Sequence, residues 1–224
     1  MTDNPFDLLD AEAARVDRFF DGLTAPQWRV ETRCAGWDRK DMAAHLIRIE
    51  DYIRTGLDDT VGDHFAEGGS SVGYERLNDI LVERYRDTPV AEVLSQWRDR
   101  AAAQHPRLRE RGVDGSIGTA VGDYPCGRQT FYFASEYAIH ADDMGVPITA
   151  DERAGRLRWR RDFTLDALRE YGRVTVTAAG DDFRVAAAGT SARLTAAELV
   201  EGAAGRLPAG SLPEELRLGM VVMA

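Results

Sequence analysis

Arg128-Gln129-Thr130-Phe131-Tyr132-Phe133-Ala134-Ser135-Glu136-Tyr137-Ala138-Ile139-His140-Ala141-Asp142-Asp143-Met144 reads as one helix, closed by Gly145 and Pro147. Glycine just past the last periodic residue, with proline beyond it, ends a helix. Glu136 and His140 stand four apart, so they project one turn apart from a single face, in line with Phe133, Tyr137 and Met144. A carboxylate and an imidazole thus share an apolar face. Burying a carboxylate is costly unless hydrogen bonds or positive charge meet it. Two arrangements answer that demand: a plain helical pair on a partly wet face, or a metal ion shared with a ligand from another helix.

A second stretch supplies such a ligand. In Trp37-Asp38-Arg39-Lys40-Asp41-Met42, Asp38 reads as the cap of a helix, Asp41 fills the capping-box position and Trp37 can staple onto Met42. Met42, Leu46, Ile49 and Ile53 then form the apolar face, and His45 falls on that same side. Taken alone, an inward histidine is as well explained as a hydrogen-bonded core residue. Together with Glu136 and His140 it makes two imidazoles and one carboxylate on two helices, a set that leaves a coordination position open, as catalytic zinc requires. Asp143, one turn past His140, reads either as the carboxylate that orients that imidazole or as a surface residue at a helix end.

Around these stretches the chain is helical up to about Gly145. Asn4-Pro5 opens a first helix carrying Phe6, Leu9, Ala13, Val16, Phe20 and Leu23 on one stripe. The Gly56–Gly73 segment, rich in Asp, Gly and Ser and holding His64, reads as a loop able to cover a pocket, with His64 outside the site. Tyr74, Leu77, Leu81 and Tyr85 mark a third helix, restarted at Thr88-Pro89, with Thr88 as the cap and Pro89 in the first turn, and continued by Val93, Leu94, Trp97, Ala101 and Leu108. His105, before Pro106, is expected near a helix C-terminus, where it compensates the dipole. Gly112 to Gly127, with Pro125 and Cys126, reads as an irregular connection, and no paired strands are expected before Gly145. Cys126 precedes its helix by several residues and is not placed among the ligands.

The character changes after Pro147. Arg156 to Tyr171 predicts a helix, Arg173–Thr177 and Phe183–Ala186 alternate as two strands, Thr195 to Glu198 is a capping box, and Leu218–Met223 predicts a last strand. The expected organisation is a helical domain over 1–147 and a small α+β module over 151–224.

Composition narrows the partners. A formal charge of −10 and pI near 4.9 oppose a nucleic-acid or anionic-membrane surface. The chain lacks an apolar run of the roughly 20 residues that a membrane span needs, and Met1-Thr2-Asp3-Asn4 lacks a signal-peptide layout, so a cytoplasmic location is expected. Cys34 and Cys126 are far apart and are expected to stay reduced. Lys40 is the only lysine among 28 basic residues, as a GC-rich coding sequence favours.

Cys34-Ala35-Gly36-Trp37-Asp38-Arg39-Lys40-Asp41-Met42-Ala43-Ala44-His45-Leu46 and Glu136-Tyr137-Ala138-Ile139-His140-Ala141-Asp142-Asp143 resemble segments of the mycothiol-dependent maleylpyruvate isomerase family. The resemblance implies an α+β protein: an N-terminal DinB-like antiparallel four-helix bundle, then a small α/β module of sterol-carrier-like kind, here short. It implies that His45, Glu136 and His140 bind a divalent metal, usually zinc, and that an arginine acts in catalysis, assigned to Arg76 with Arg84 and Arg86 as alternatives. Mycothiol is the implied thiol cosubstrate, and members are mostly actinobacterial, in keeping with the arginine bias. The implied partners are a small electrophile and the thiol, with no nucleic acid or membrane, in a monomer or homodimer. The implied activity is isomerase or thiol S-transferase. The alternative is a non-catalytic small-molecule or thiol-binding bundle.

Overall fold

A computed structural model describes residues 3–62, 74–171 and 173–223, with residues 74–77 described as backbone only. Contacts divide the chain into two compact units, Asn4–Val146 and one formed by the residues from Pro147 onward together with Asp3. The fold is α+β: helices dominate, and the second unit carries a small antiparallel sheet. Among the described residues, no helix is long and apolar enough to cross a membrane.

In the first unit, α1 spans Pro5–Asp21, α2 Arg39–Leu57, α3 Tyr74–Glu83, α4 Val90–Arg111 and α5 Cys126–Asp143. Local chemistry sets their starts. The Asn4 side chain accepts from the Phe6 amide at 3.0 Å, and Asp38 accepts from the amides of Lys40 and Asp41 while Asp41 answers the Asp38 amide. Thr88 does not cap α4: Pro89 holds the cap position without a side-chain bond. α1 packs chiefly on α5, and α2 on α4 and α3. The core takes Leu9, Val16 and Phe20 from α1, Met42, Leu46 and Ile53 from α2, Trp97 and Leu108 from α4, and Phe133 and Tyr137 from α5.

Two further expectations for this unit are corrected. The Gly112–Gly127 segment is not irregular throughout: β1 (Ser116–Thr119) and β2 (Gly122–Pro125) pair antiparallel, Ile117 opposite Tyr124. The hairpin lies on α2 because Ile117 buries its side chain there and Gly56 has no Cβ; one added would stand 2.6 Å from the Gly118 carbonyl oxygen. Strands of four residues with one inward side chain carry no alternation to read.

His105 is the second correction. α4 runs through Pro106 to Arg111, so His105 lies inside the helix and not at its end. Its Nδ1 stands 2.8 Å from Asp10 Oδ1 on α1, and its Nε2 3.1 Å from Glu50 Oε1 on α2. Glu50 is fully buried and also accepts from the Tyr137 hydroxyl on α5, which in turn accepts from Trp97 Nε1 at 2.8 Å. One polar layer therefore crosses four helices. Burial would lower the His105 pKa, but hydrogen bonds and charge from Asp10 and Glu50 outweigh it and push it up to about 9. The imidazolium is thus stabilised on folding.

A pH dependence follows. The folded pKa lies above the ordinary 6.5, so the contribution is complete below that value and is lost as pH rises through about 9. It amounts to about 3 kcal/mol. Hydrogen bonding to His105 lowers the Asp10 pKa, and burial with the Glu50 charge raises that of Tyr137 well above 10, so neither titrates in this interval. Arg109, beside Asp10, stays charged. Denaturant unfolding of metal-free wild type and His105→Gln across this interval should show their stability difference shrinking by that amount. His140, whose pKa is also raised, is present in both chains, so its contribution cancels.

The second unit contains α6 (Ala150–Tyr171), β3 (Thr175–Ala179), β4 (Asp182–Ala187), β5 (Thr190–Leu194), α7 (Ala196–Ala203) and α8 (Glu214–Met220). The sheet order is β3-β4-β5, all antiparallel. β5 escapes sequence reading because the turn before it, Ala188-Gly189, is built from small residues, both at positive φ (49° and 80°), as a two-residue hairpin turn needs. The expected last strand at Leu218–Met223 is instead the end of α8 followed by an extended tail. Pro213 precedes that helix, Glu214 and Glu215 favour its first turn, and Leu216 and Met220 bury one turn apart against Val185 and Leu194.

Candidate metal centre

The N-terminal end of α2 is fastened to the C-terminal end of α5. Thr32–Trp37 forms a tight loop, with the Thr32 amide bonded to the Trp37 carbonyl at 2.9 Å and Gly36 at φ +81°. The Arg33 amide donates to the Asp143 carbonyl at 3.1 Å, and Arg39 Nη2 to the Met144 carbonyl at 3.2 Å. These bonds bring His45, near the start of α2, beside His140, near the end of α5. The two rings lie edge to face, with centroids 4.7 Å apart. Trp37 covers His45 at 5.1 Å and anchors through Nε1 to Asp79 of α3 at 3.2 Å.

The structure brings His45, Glu136 and His140 together: each offers one ligand atom, and these atoms lie within 4.8 Å of one another. Both imidazoles are buried, while Glu136 is partly open to solvent, its side chain 31 % exposed. A tetrahedral zinc with these ligand types separates its donor atoms by about 3.3–3.6 Å. His140 Nε2 and Glu136 Oε2, 3.2 Å apart, stand close to that spacing, and with His45 the set lies within 4.8 Å. The donor types therefore suit a divalent cation on which the three side chains would draw in from the exposed side of Glu136.

The electrostatics favour the same use. His140 Nε2 stands 3.2 Å from Glu136 Oε2 and Nδ1 3.2 Å from Asp143 Oδ2. Burial would lower the His140 pKa, but bonds to Asp143, Cys34 and Glu136 raise it well above 6.5. In the metal-free chain the ring is an imidazolium between two carboxylates. Asp143 is buried, which decides between the two readings of it: it holds the Nδ1 proton and turns Nε2 toward Glu136 and His45.

Cys34 is what sequence reasoning missed. Its Sγ donates to Asp143 Oδ2 at 3.3 Å, across 109 residues, and Cys34, His140 and Asp143 form a second compact donor group. That group lies on the Nδ1 edge of the ring, where Arg33 Nε stands 3.8 Å from Asp143 Oδ1. Positive charge already faces Asp143 there, so the carboxylate serves the imidazole.

The arginines separate less cleanly. Arg76 lies on the backbone of α3, and its side chain lies outside the described residues, as does His64. Arg84 and Arg86 are exposed, and Arg86 pairs with Glu83. Cys126 is buried at the start of α5, bonds the Leu108 carbonyl at 3.7 Å and belongs to neither donor group. Neither cysteine forms a disulfide.

Residues 9–145 match the family described as the mycothiol maleylpyruvate isomerase N-terminal domain. Two solved structures, of the mycothiol-dependent maleylpyruvate isomerase and of a histidine-to-alanine mutant of it, each superpose with a TM-score of 0.61 at 18% identity, covering 94% of both chains. At that identity the likeness is one of fold. No curated protein sequence matches the chain.

Proposed function

Because the chain belongs to the mycothiol maleylpyruvate isomerase N-terminal domain family, we propose that it is a mycothiol-dependent isomerase that uses a divalent cation at His45, Glu136 and His140. The observation that carries this reading is the convergence of two imidazoles and one carboxylate from α2 and α5 on one point. Zinc suits that donor set. A cation held there lowers the pKa of a coordinating thiol and so presents a nucleophile at neutral pH.

The chain's own groups do the rest. Asp143 keeps the Nδ1 proton of His140 and leaves Nε2 as a donor to the cation, while Trp37 shields His45 from water. The thiol sulfur adds to the conjugated double bond of the substrate. The bond between the two carbons, now single, rotates, and expulsion of the sulfur restores the double bond in the other geometry and returns the thiol. Arg76 is proposed to hold a substrate carboxylate through paired hydrogen bonds. It stands one turn before Asp79, the residue that anchors Trp37, so α3 is tied to the same site.

Thiol binding tests this reading. Mycothiol should bind the metal-loaded protein with release of a proton, and bind more tightly as pH rises. Titration calorimetry in buffers of different ionisation enthalpy counts that proton. Binding without proton release, or equal binding to metal-free protein, would replace the enzyme with a thiol-binding bundle.

A further inference from the structure

Below the metal donors lies a polar layer whose centre, Glu50, Trp97 and Tyr137, is buried and which runs through His105 to the exposed carboxylate of Asp10. Its placement is not arbitrary. Glu50 follows His45 by five residues on α2, about 7.5 Å along the axis, and Tyr137 lies between Glu136 and His140 on α5. The Tyr137–Glu50 hydrogen bond therefore joins the two metal-bearing helices about one turn from their ligands. α2 and α5 otherwise make few direct contacts, since each packs chiefly on another helix, α2 on α4 and α5 on α1.

We propose that Tyr137 and Glu50 are positioning residues for the metal centre, setting the axial register of α2 against α5 so that His45 meets Glu136 and His140. The inference rests on the metal reading given above. A rotation or slide of either helix is opposed by this bond because both partners are fully buried, so separating them would leave a charged carboxylate and a phenol without water. Trp97 and His105, both on α4, hold the two acceptors from a third helix, and Asp10 holds His105 from a fourth. Apolar side chains filling the same space would pack as well and tolerate small shifts; hydrogen bonds of fixed length and direction do not. Positioning by groups behind the ligands typically changes metal affinity by about 10–100-fold.

The test uses the full chain loaded with cobalt(II), whose visible spectrum reports coordination geometry. Tyr137→Phe should bind cobalt about tenfold more weakly and with a changed spectrum. Leu216→Ala, in the core of the second unit, should lower stability yet leave both unchanged. Glu50→Gln, which keeps an oxygen for the Tyr137 hydroxyl, should bind nearly as wild type, whereas Glu50→Leu should follow Tyr137→Phe. Wild-type affinity and spectrum in Tyr137→Phe or in Glu50→Leu would overturn the inference. Loss of folding in one of the two leaves the other, compared with Glu50→Gln, to decide. A wild-type chain that binds no cobalt would overturn the metal reading beneath it instead.

Discussion

His140→Ala is expected to empty the metal centre. The purified wild-type chain should carry about one zinc, and the variant close to none, because the lost imidazole is the one that stands between Glu136 and Asp143. Two of the three proposed donors remain, but one is a carboxylate with a partly exposed side chain, and neither is oriented by Asp143. His45→Ala should have the same effect. Asp143→Asn is graded below them, since it leaves all three donors and removes only the group that holds the Nδ1 proton, a change worth about 10–100-fold in affinity. Elemental analysis after dialysis against a weak chelator measures all three. Full zinc content in His45→Ala and His140→Ala would show that the cation, if any, binds elsewhere. Circular dichroism separates loss of metal from loss of fold, because the helices are started by caps and packed by residues that these substitutions leave in place.

The largest expected change in stability comes from the polar layer. His105→Ala removes the cation between Asp10 and Glu50 and leaves Glu50 fully buried, with Oε2 already lacking a hydrogen-bond partner among the described residues. Breaking a buried pair in this way costs about 3–5 kcal/mol, a large part of the roughly 5–15 kcal/mol that holds a domain together. The cost is the uncompensated charge, not the lost contact. Replacing both partners, as Glu50→Leu with His105→Leu, should recover part of it, because an apolar pair removes the buried charge along with its partner but leaves the Tyr137 hydroxyl without its acceptor. Urea unfolding monitored in the first unit reads the difference. A single substitution that costs less than about 1 kcal/mol would mean that the layer is not charged in the folded chain.

Much of this was readable from local chemistry. Helix starts at Asn4 and Asp38, the capping box at Thr195 and Glu198, and the phase of His45, Glu136 and His140 all depend on residues within four positions of one another. Such signals survive in the sequence because the interactions that make them are short in the chain. The sheet hairpin of the second unit was legible where Val174, Val176, Phe183 and Val185 alternate, and not at β5, where only Ala192 and Leu194 are apolar and the turn before it is built from small residues.

Tertiary structure decided whatever depends on distant partners. A histidine before a proline reads as a helix end until α4 is seen to continue past it and Asp10, 95 residues away, is seen to meet the ring. Cys34 was an isolated thiol until the Thr32–Trp37 loop laid it on Asp143. The β1–β2 hairpin depends on Gly56 of α2 admitting it, and α8 on a core that rewards Leu216 and Met220 at helical spacing over the alternation of the residues that follow. The amino-acid sequence by itself determined which side chains share a face, because periodicity is a property of one helix. Which faces meet was left to packing, because burial, the bond between Tyr137 and Glu50 and the charge between Asp10 and Glu50 exist only once the helices are together.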